Sequence, residues 1–411
     1  MKKILALMVA LILTFTMAGA CAEGTAVEFF QQKPEEGPQK AYQAVIDAFV
    51  AANPDYAIEM NTVPDAGTVL VQRMSTGDIP AIFSDYPTQV QFQDKVDNGY
   101  VLCLSDYEFM SRVNEGYLEI SVADDGKYYS LPISSNYMAI FYNIDIFNEC
   151  GITELPTTWD ELVAVCDTLV EKGYTPFAFG DKDPGRVGHC FQAVGLATYP
   201  ELTDYLVQVI NGEATVADNA EIFKTIGERM LTLREYALPD SIGTSDTAMW
   251  ENFANGKAAM CITGSYARGT ILLSNPELNM GAFPIPGDDY DTSPILSGVD
   301  AAVCISAEAT EEEIATATAF FDFISQPENA QTWSDIDGAP SCMKGTEYSD
   351  ANLQPVIDKI NSGVVVDWFA GKITSTIYNE IYNVVQQLLM DGDLDAFITN
   401  LDETIEEVAA M

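Results

Sequence analysis

The stretch Gly126–Leu162, GKYYSLPISSNYMAIFYNIDIFNECGITELPTTWDEL, decides how this chain is read. Leu131-Pro132 reads as a turn that ends one hydrophobic stretch, and a second apolar strand follows and closes on Tyr142-Asn143. Beyond it lie a short amphipathic segment, Gly151, and the run Pro156-Thr157-Thr158-Trp159-Asp160-Glu161-Leu162. Thr158 with Glu161 three positions on is a capping box, so a helix is expected over 158–172. Trp159, at the first helical position among apolar neighbours, is expected in the core. Tyr142 and Trp333 are assigned to packing.

Upstream, 26–31 (AVEFFQ) reads as a strand, and 38–52 carries Tyr42, Val45, Ile46 and Phe49 at helical spacing. Asn53-Pro54-Asp55 stops that helix. Residues 56–63 alternate like a strand, 67–75 reads as a helix and 79–84 as a third strand. This order predicts a parallel α/β sheet with right-handed crossovers. Downstream, 174–180 (YTPFAFG) reads as a strand, and 202–210 and 220–236 as amphipathic helices. A further helix over 310–325 opens on a second capping box, Thr310 with Glu313, and residues 350–411 read as helices. No internal repeat or low-complexity linker interrupts the chain, which leaves a surface adhesion stalk without support.

Several of these segments carry a resemblance. The Leu131-Pro132…Tyr142-Asn143…Thr158-Trp159-Asp160-Glu161-Leu162 run, the block GKAAMCITGSYA (256–267), AFVAANPDY (48–56) and TGDIPAIFSD (76–85) resemble the extracellular solute-binding proteins of ABC importers, the group that includes the maltose-binding protein. Tyr266 stands where the family's Gly-Ser-Trp motif has Trp, and the order of Asp78 and Pro80 is altered. The resemblance implies a periplasmic-binding-protein-like α/β fold of two lobes joined by a three-segment hinge, with the ligand cleft between them. Lobe 1 would take 21–137 plus 283–339, and lobe 2 would take 138–282 plus 340–411. The crossings would fall near 135–140, 280–286 (within MGAFPIPGDD) and 338–342 (Gly338-Ala339-Pro340). The implied task is to close on a solute and pass it unaltered to a permease.

The first twenty residues stand apart. Lys2 and Lys3 precede an apolar run, Ile4 to Met17, and Ala18-Gly19-Ala20 supplies the small residues of a cleavage site. Cys21 follows, which resembles a bacterial lipobox with Ala18 in place of the usual Leu. Two routes fit: lipidation of Cys21, or ordinary cleavage after Ala20 or Ala22. Either exports the protein. Lipidation would hold it on the outer face of the cytoplasmic membrane, and ordinary cleavage would leave it periplasmic where an outer membrane exists.

The chain has 411 residues, enough for two domains. Hydrophobic residues make up 48%, which excludes a disordered chain. The formal net charge of −43 argues against a nucleic-acid surface and against adhesion to anionic lipid through the folded surface. The eight cysteines (21, 103, 150, 166, 190, 261, 304 and 342) form no C-x-x-C, and most sit in apolar runs, so they read as small buried hydrophobes.

Catalytic motifs are missing. His189, the single histidine, lies in RVGHCFQAV and reads as a structural or pocket-edge imidazole. There is no G-x-S-x-G, Walker A or H-E-x-x-H motif. Asp391-Gly392-Asp393-Leu394-Asp395 reads as a helix stop and N-cap, not a calcium loop. No cofactor or metal is implied. A saccharide needs aromatic rings for its C–H faces and planar polar groups for its hydroxyls, placed where strands end. Position, with the family pattern, nominates Gln31 and Gln32 after the first strand, Asp85 and Tyr86 after the third, and Asn136 and Tyr137 at the first crossing. It also nominates Arg186, Trp250, Tyr266, Asp300 and Trp368. A monomeric carbohydrate receptor served by permease subunits is the leading reading. The rivals are the same fold holding a peptide, polyamine or other solute, and a glycosidase using two of the many carboxylates.

Overall fold

A computed structural model of the protein describes residues 26–348 and 350–410. The signal segment and Cys21 lie outside the described residues. The described residues form nine strands: β1 (Val27–Phe30), β2 (Ile58–Asn61), β3 (Ile82–Asp85), β4 (Leu131–Asn143), β5 (Phe177–Ala178), β6 (Met260–Gly264), β7 (Met280–Phe283), β8 (Ile295–Ile305) and β9 (Val365–Val366). They join in the order β2-β1-β3-β8-β4-β6-β5, with β7 on β4 and β9 on β8. As the strand–helix alternation predicts, β1 runs parallel to β2 and to β3.

The long strands β4 and β8 pair antiparallel from Leu131↔Val303 to Tyr137↔Ser297. They also tie two cores together. Leu131 and Ile133 of β4 and Val303 and Ile305 of β8 pack with Phe29, Tyr42, Phe49, Phe320 and Trp333. Met138 and Ile140 of β4 and Leu296 of β8 pack instead with Phe147, Phe191, Phe283 and Leu401. A third cluster centres on Phe141, Phe253 and Tyr266. Cys342 and Met343 belong to the first of these cores.

Three expectations are corrected. The turn at Leu131-Pro132 is absent, because both residues open β4. Pro132 has no amide hydrogen, and the pairing with β8 shifts register between Pro132 and Ser134 and again between Ser134 and Ser135. The proline thus marks a bulge and not a chain reversal. The strand expected over 174–180 shrinks to Phe177–Ala178, between Pro176 and Gly180. The helical tail is interrupted by β9, where Val364, Val365 and Val366 favour extended backbone.

Both capping boxes form, at Thr158 with Glu161 and at Thr310 with Glu313. Trp159 is only half-buried, because the first turn of its helix lies at the edge of the core. There the Arg229 guanidinium covers its ring at 4.8 Å. Trp333 is fully buried and meets Tyr42 edge-on at 5.5 Å, which clamps the helix Pro327–Asp337 onto the helix Glu36–Ala52. All seven described cysteines are free, and each is buried except Cys103. Among the described residues no helix is long and apolar enough to cross a membrane.

Trp333→Ala should destabilise the fold by about 3–5 kcal/mol through the cavity it leaves. Thr310→Ala should cost only about 1 kcal/mol through the lost cap. Urea titrations followed by circular dichroism measure both.

Candidate functional site

The centre of the site is a buried ion pair. Lys33 follows β1 and Asp300 sits on β8. Lys33 Nζ lies 2.5 Å from Asp300 Oδ2, with the two residues 4% and 3% exposed. Burial, the largest single influence, lowers the Lys33 pKa, but Asp300 with Tyr86 and Glu35 together outweigh it and raise the value. Gln31 is fully buried and structural: its amide donates to the Lys33 carbonyl at 3.0 Å and accepts from the Lys33 backbone N–H, fixing the turn that presents the ammonium.

Polar contacts run on from this pair. Asn136 Nδ2 donates to Asp300 Oδ1 at 2.9 Å. Trp368 Nε1 donates to Asn136 Oδ1 at 2.8 Å. Residues from β8, β4 and the segment after β9 are thereby held in one line.

A second group comes from the helix Pro184–Thr198. Its Arg186 pairs with Asp246 at 2.7 Å and donates to the Tyr266 hydroxyl. His189, one turn on, has Nδ1 at 3.2 Å from that hydroxyl and its ring against Trp368 at 4.9 Å. Burial, reinforced by the Arg186 charge, pushes the His189 pKa down to about 3. The imidazole is therefore neutral and accepts from Tyr266. Gln192, a further turn on, donates to the Tyr382 hydroxyl and accepts from the Phe369 N–H at 2.8 Å.

Two glycines make room for the rings. A Cβ at Gly264 would lie 2.0 Å from the Tyr266 ring, and one at Gly188 would lie 2.0 Å from the Tyr382 ring. Either substitution would force its aromatic ring to move.

These residues enclose a cavity of about 260 Å³ lined by Lys33, Glu35, Tyr86, Gln89, Asn136, Arg186, His189, Gln192, Tyr266, Asp300, Trp368, Tyr378 and Tyr382, among others. Of the nominated residues, Tyr86, Asn136, Arg186, Tyr266, Asp300 and Trp368 meet here. Gln32 and Asp85 line an adjoining cavity instead, Gln32 donating to the Ser84 carbonyl and Asp85 paired with Lys95 at 2.5 Å.

Tyr137 and Trp250 line neither cavity. Tyr137 is the strand neighbour of Asn136 and so points to the opposite face, fully buried, with its hydroxyl 3.3 Å from that of Tyr348. Trp250 lies behind Arg186 and donates to Thr263 Oγ1 at 3.2 Å.

Sequence reasoning missed Lys33, Glu35, Gln192, Tyr378 and Tyr382. The spacing of Arg186, His189 and Gln192 along one helix face, and of Tyr378 and Tyr382 along another, would have revealed most of them.

The chemistry offered is recognition. Paired charges, planar amides and five aromatic rings face one space. Glu35 Oε2 is buried there without a partner, an acceptor awaiting a donor. His189 takes no proton near neutrality, and Asp300 is already engaged by Lys33 and Asn136. Among the described residues no group of His, Cys, Asp or Glu is placed to hold a metal ion.

Asp337, which ends the helix Pro327–Asp337 behind Lys33, is fully buried, and neither of its oxygens makes a well-formed hydrogen bond. Burial raises its pKa to about 8 against the opposing pull of Lys33, with Asp300 and Glu35 adding to the rise. The folded state thus holds a proton that the unfolded chain releases near pH 4. Stability from this group is full below that pH and is lost as pH rises towards 8. Asp337→Asn should therefore stabilise the protein by about 1–3 kcal/mol at pH 8 and change little at pH 4.5. His189 acts in the opposite direction: its contribution is present above pH ~6.5 and lost as pH falls towards 3. His189→Gln should flatten that acid limb. Melting temperature against pH for the two variants separates the effects.

Comparison with known proteins agrees with this architecture. Residues 33–331 match the family described as bacterial extracellular solute-binding protein. The multiple sugar-binding protein of Streptococcus mutans serotype c is 28% identical over 382 residues, covering 84% of each chain. The solute-binding protein RafE in complex with raffinose superposes with a TM-score of 0.81 at 24% identity, covering 94% of this chain and all of that one. A chitin oligosaccharide binding protein superposes with a TM-score of 0.77 at 21% identity, covering 94% of this chain and all of that one. The α/β architecture is thus that of the periplasmic-binding-protein-like fold, and the chain belongs to the bacterial extracellular solute-binding protein family.

Proposed function

We propose that this protein binds a carbohydrate in the cavity between Lys33, Asp300 and Trp368 and delivers it unchanged to the permease subunits of an ABC importer. The observation that carries this reading is the cavity itself: Tyr86, Tyr266, Trp368, Tyr378 and Tyr382 supply ring faces and edges around Asn136, Gln192, Arg186 and Asp300. Desolvating a sugar costs free energy unless its hydroxyls find partners, and this wall provides donors and acceptors together. The sugar-binding relative from Streptococcus mutans supports the same ligand class.

In this reading the cavity is an interlobe cleft. Lys33, Glu35, Tyr86 and Asp300 belong to a lobe of 21–137 plus 283–339. Arg186, His189, Gln192, Tyr266 and Trp368 belong to one of 138–282 plus 340–411. Closure turns about 135–140, 280–286 and 338–342, driven by contacts the sugar makes to both sides only when the lobes are together. The protein works as an exported monomer, anchored through lipid on Cys21, and catalyses no reaction.

Two substitutions test the reading. Tyr266→Ala and Trp368→Ala should each weaken saccharide binding about 10- to 100-fold while leaving the circular dichroism spectrum unchanged. A thermal-shift screen of mono- and oligosaccharides identifies the ligand by the rise in melting temperature that binding produces. Release of reducing sugar, abolished by one Asp or Glu substitution, would overturn the receptor reading in favour of an enzyme. No shift with any saccharide would overturn the ligand class.

A further inference from the structure

A second, larger cavity of about 700 Å³ adjoins the first and shares Tyr86, Gln89 and Tyr378 with it. Its other walls come from the helix Ala66–Thr76, the helix Val90–Asp97 and Ser375. We infer that the ligand is a neutral oligosaccharide, with one end against Trp368 and Tyr266 and at least one further ring lying past Tyr86 and Tyr378 in this second cavity. The inference rests on the carbohydrate reading and extends it to chain length and charge.

One polar side chain of the second cavity lacks a partner. Gln91 lines it, and both ends of its amide, Nε2 and Oε1, are buried with no hydrogen-bond partner. A buried amide left empty at both ends is costly, and the cost disappears when the side chain turns into the cavity and a ligand accepts from one end and donates to the other. Adjacent ring hydroxyls do both. Val71, 55% exposed, stands at the rim, where it offers an aliphatic surface to a C–H face. The tyrosines shared by the two cavities give the passage an aromatic wall on which successive rings can rest.

Charge pairing selects neutrality. In the second cavity Asp85 is matched by Lys95, and in the first Lys33 is matched by Asp300 and Arg186 by Asp246. Each cation already has its carboxylate, so an anionic sugar would find no free partner and would meet the acidic rim at Asp94.

The test is isothermal titration of the full exported protein with four series. These are galactose, melibiose, raffinose and stachyose; glucose, maltose, maltotriose and maltotetraose; the xylose oligomers; and the N-acetylglucosamine oligomers. In the series that binds, affinity should rise at least tenfold from the monosaccharide to its di- or trisaccharide. Gln91→Ala, and Thr68→Trp to fill the second cavity from an exposed position, should cut affinity for the longer saccharide about 10- to 100-fold and leave that for the monosaccharide unchanged. Equal affinity along the series, or variants that weaken long and short ligands alike or not at all, would overturn the inference while leaving a monosaccharide receptor standing. Tighter binding of galacturonate than of galactose would overturn neutrality. If no saccharide of any series binds, the carbohydrate reading fails, and the chain-length inference fails with it.

Discussion

The buried pair Lys33–Asp300 is the constraint on which the rest of the site depends. An ammonium and a carboxylate this deep are tolerable only together, because removing either leaves the other charged and unsolvated. Their positions are set by elements far apart in the chain, the turn after β1 and the middle of β8, which approach through β3. From Asp300 the contacts pass to Asn136 on β4 and on to the Trp368 indole. One carboxylate therefore fixes the end of a strand, the side chain of a second and the ring of an aromatic more than sixty positions along from β8. The cavity exists because this line and the Arg186–Tyr266–His189 group face each other across it.

The opposite wall is organised by a different device, in which bulk is accommodated by its absence. Tyr266 lies over Gly264 and Tyr382 over Gly188, so each ring is placed by a missing side chain. Gln192 and Arg186 then hold the two hydroxyls. Rings seated this way carry little freedom to lose when a ligand arrives, which is the condition for binding a polar, weakly interacting molecule.

Much of this architecture was legible in the residues. The strand–helix alternation of the first ninety positions, both threonine capping boxes and the burial of Trp333 follow from local patterns that tertiary context did not override. Pro132 was misread because a missing amide hydrogen signals an interrupted ladder, and a bulge satisfies that as well as a turn does. At the site, position in the family pattern reached Tyr266, Asp300 and Trp368. It could not choose between Asn136 and Tyr137, whose side chains alternate across β4, nor foresee that Trp250 stands behind Arg186. Lys33 escaped notice because an isolated lysine after a strand looks solvent-bound; only the arrival of Asp300, 267 positions later, makes it a buried group.

The seven described thiols carry a practical consequence. Six are sealed in the cores and none is bridged, while Cys103 alone is partly exposed, beside the Ser105 hydroxyl at 3.5 Å. Among the described residues the fold thus presents a single addressable sulfur. With Cys21 lipidated or removed, a maleimide dye placed there would label one defined position and serve as an optical probe without any engineered substitution.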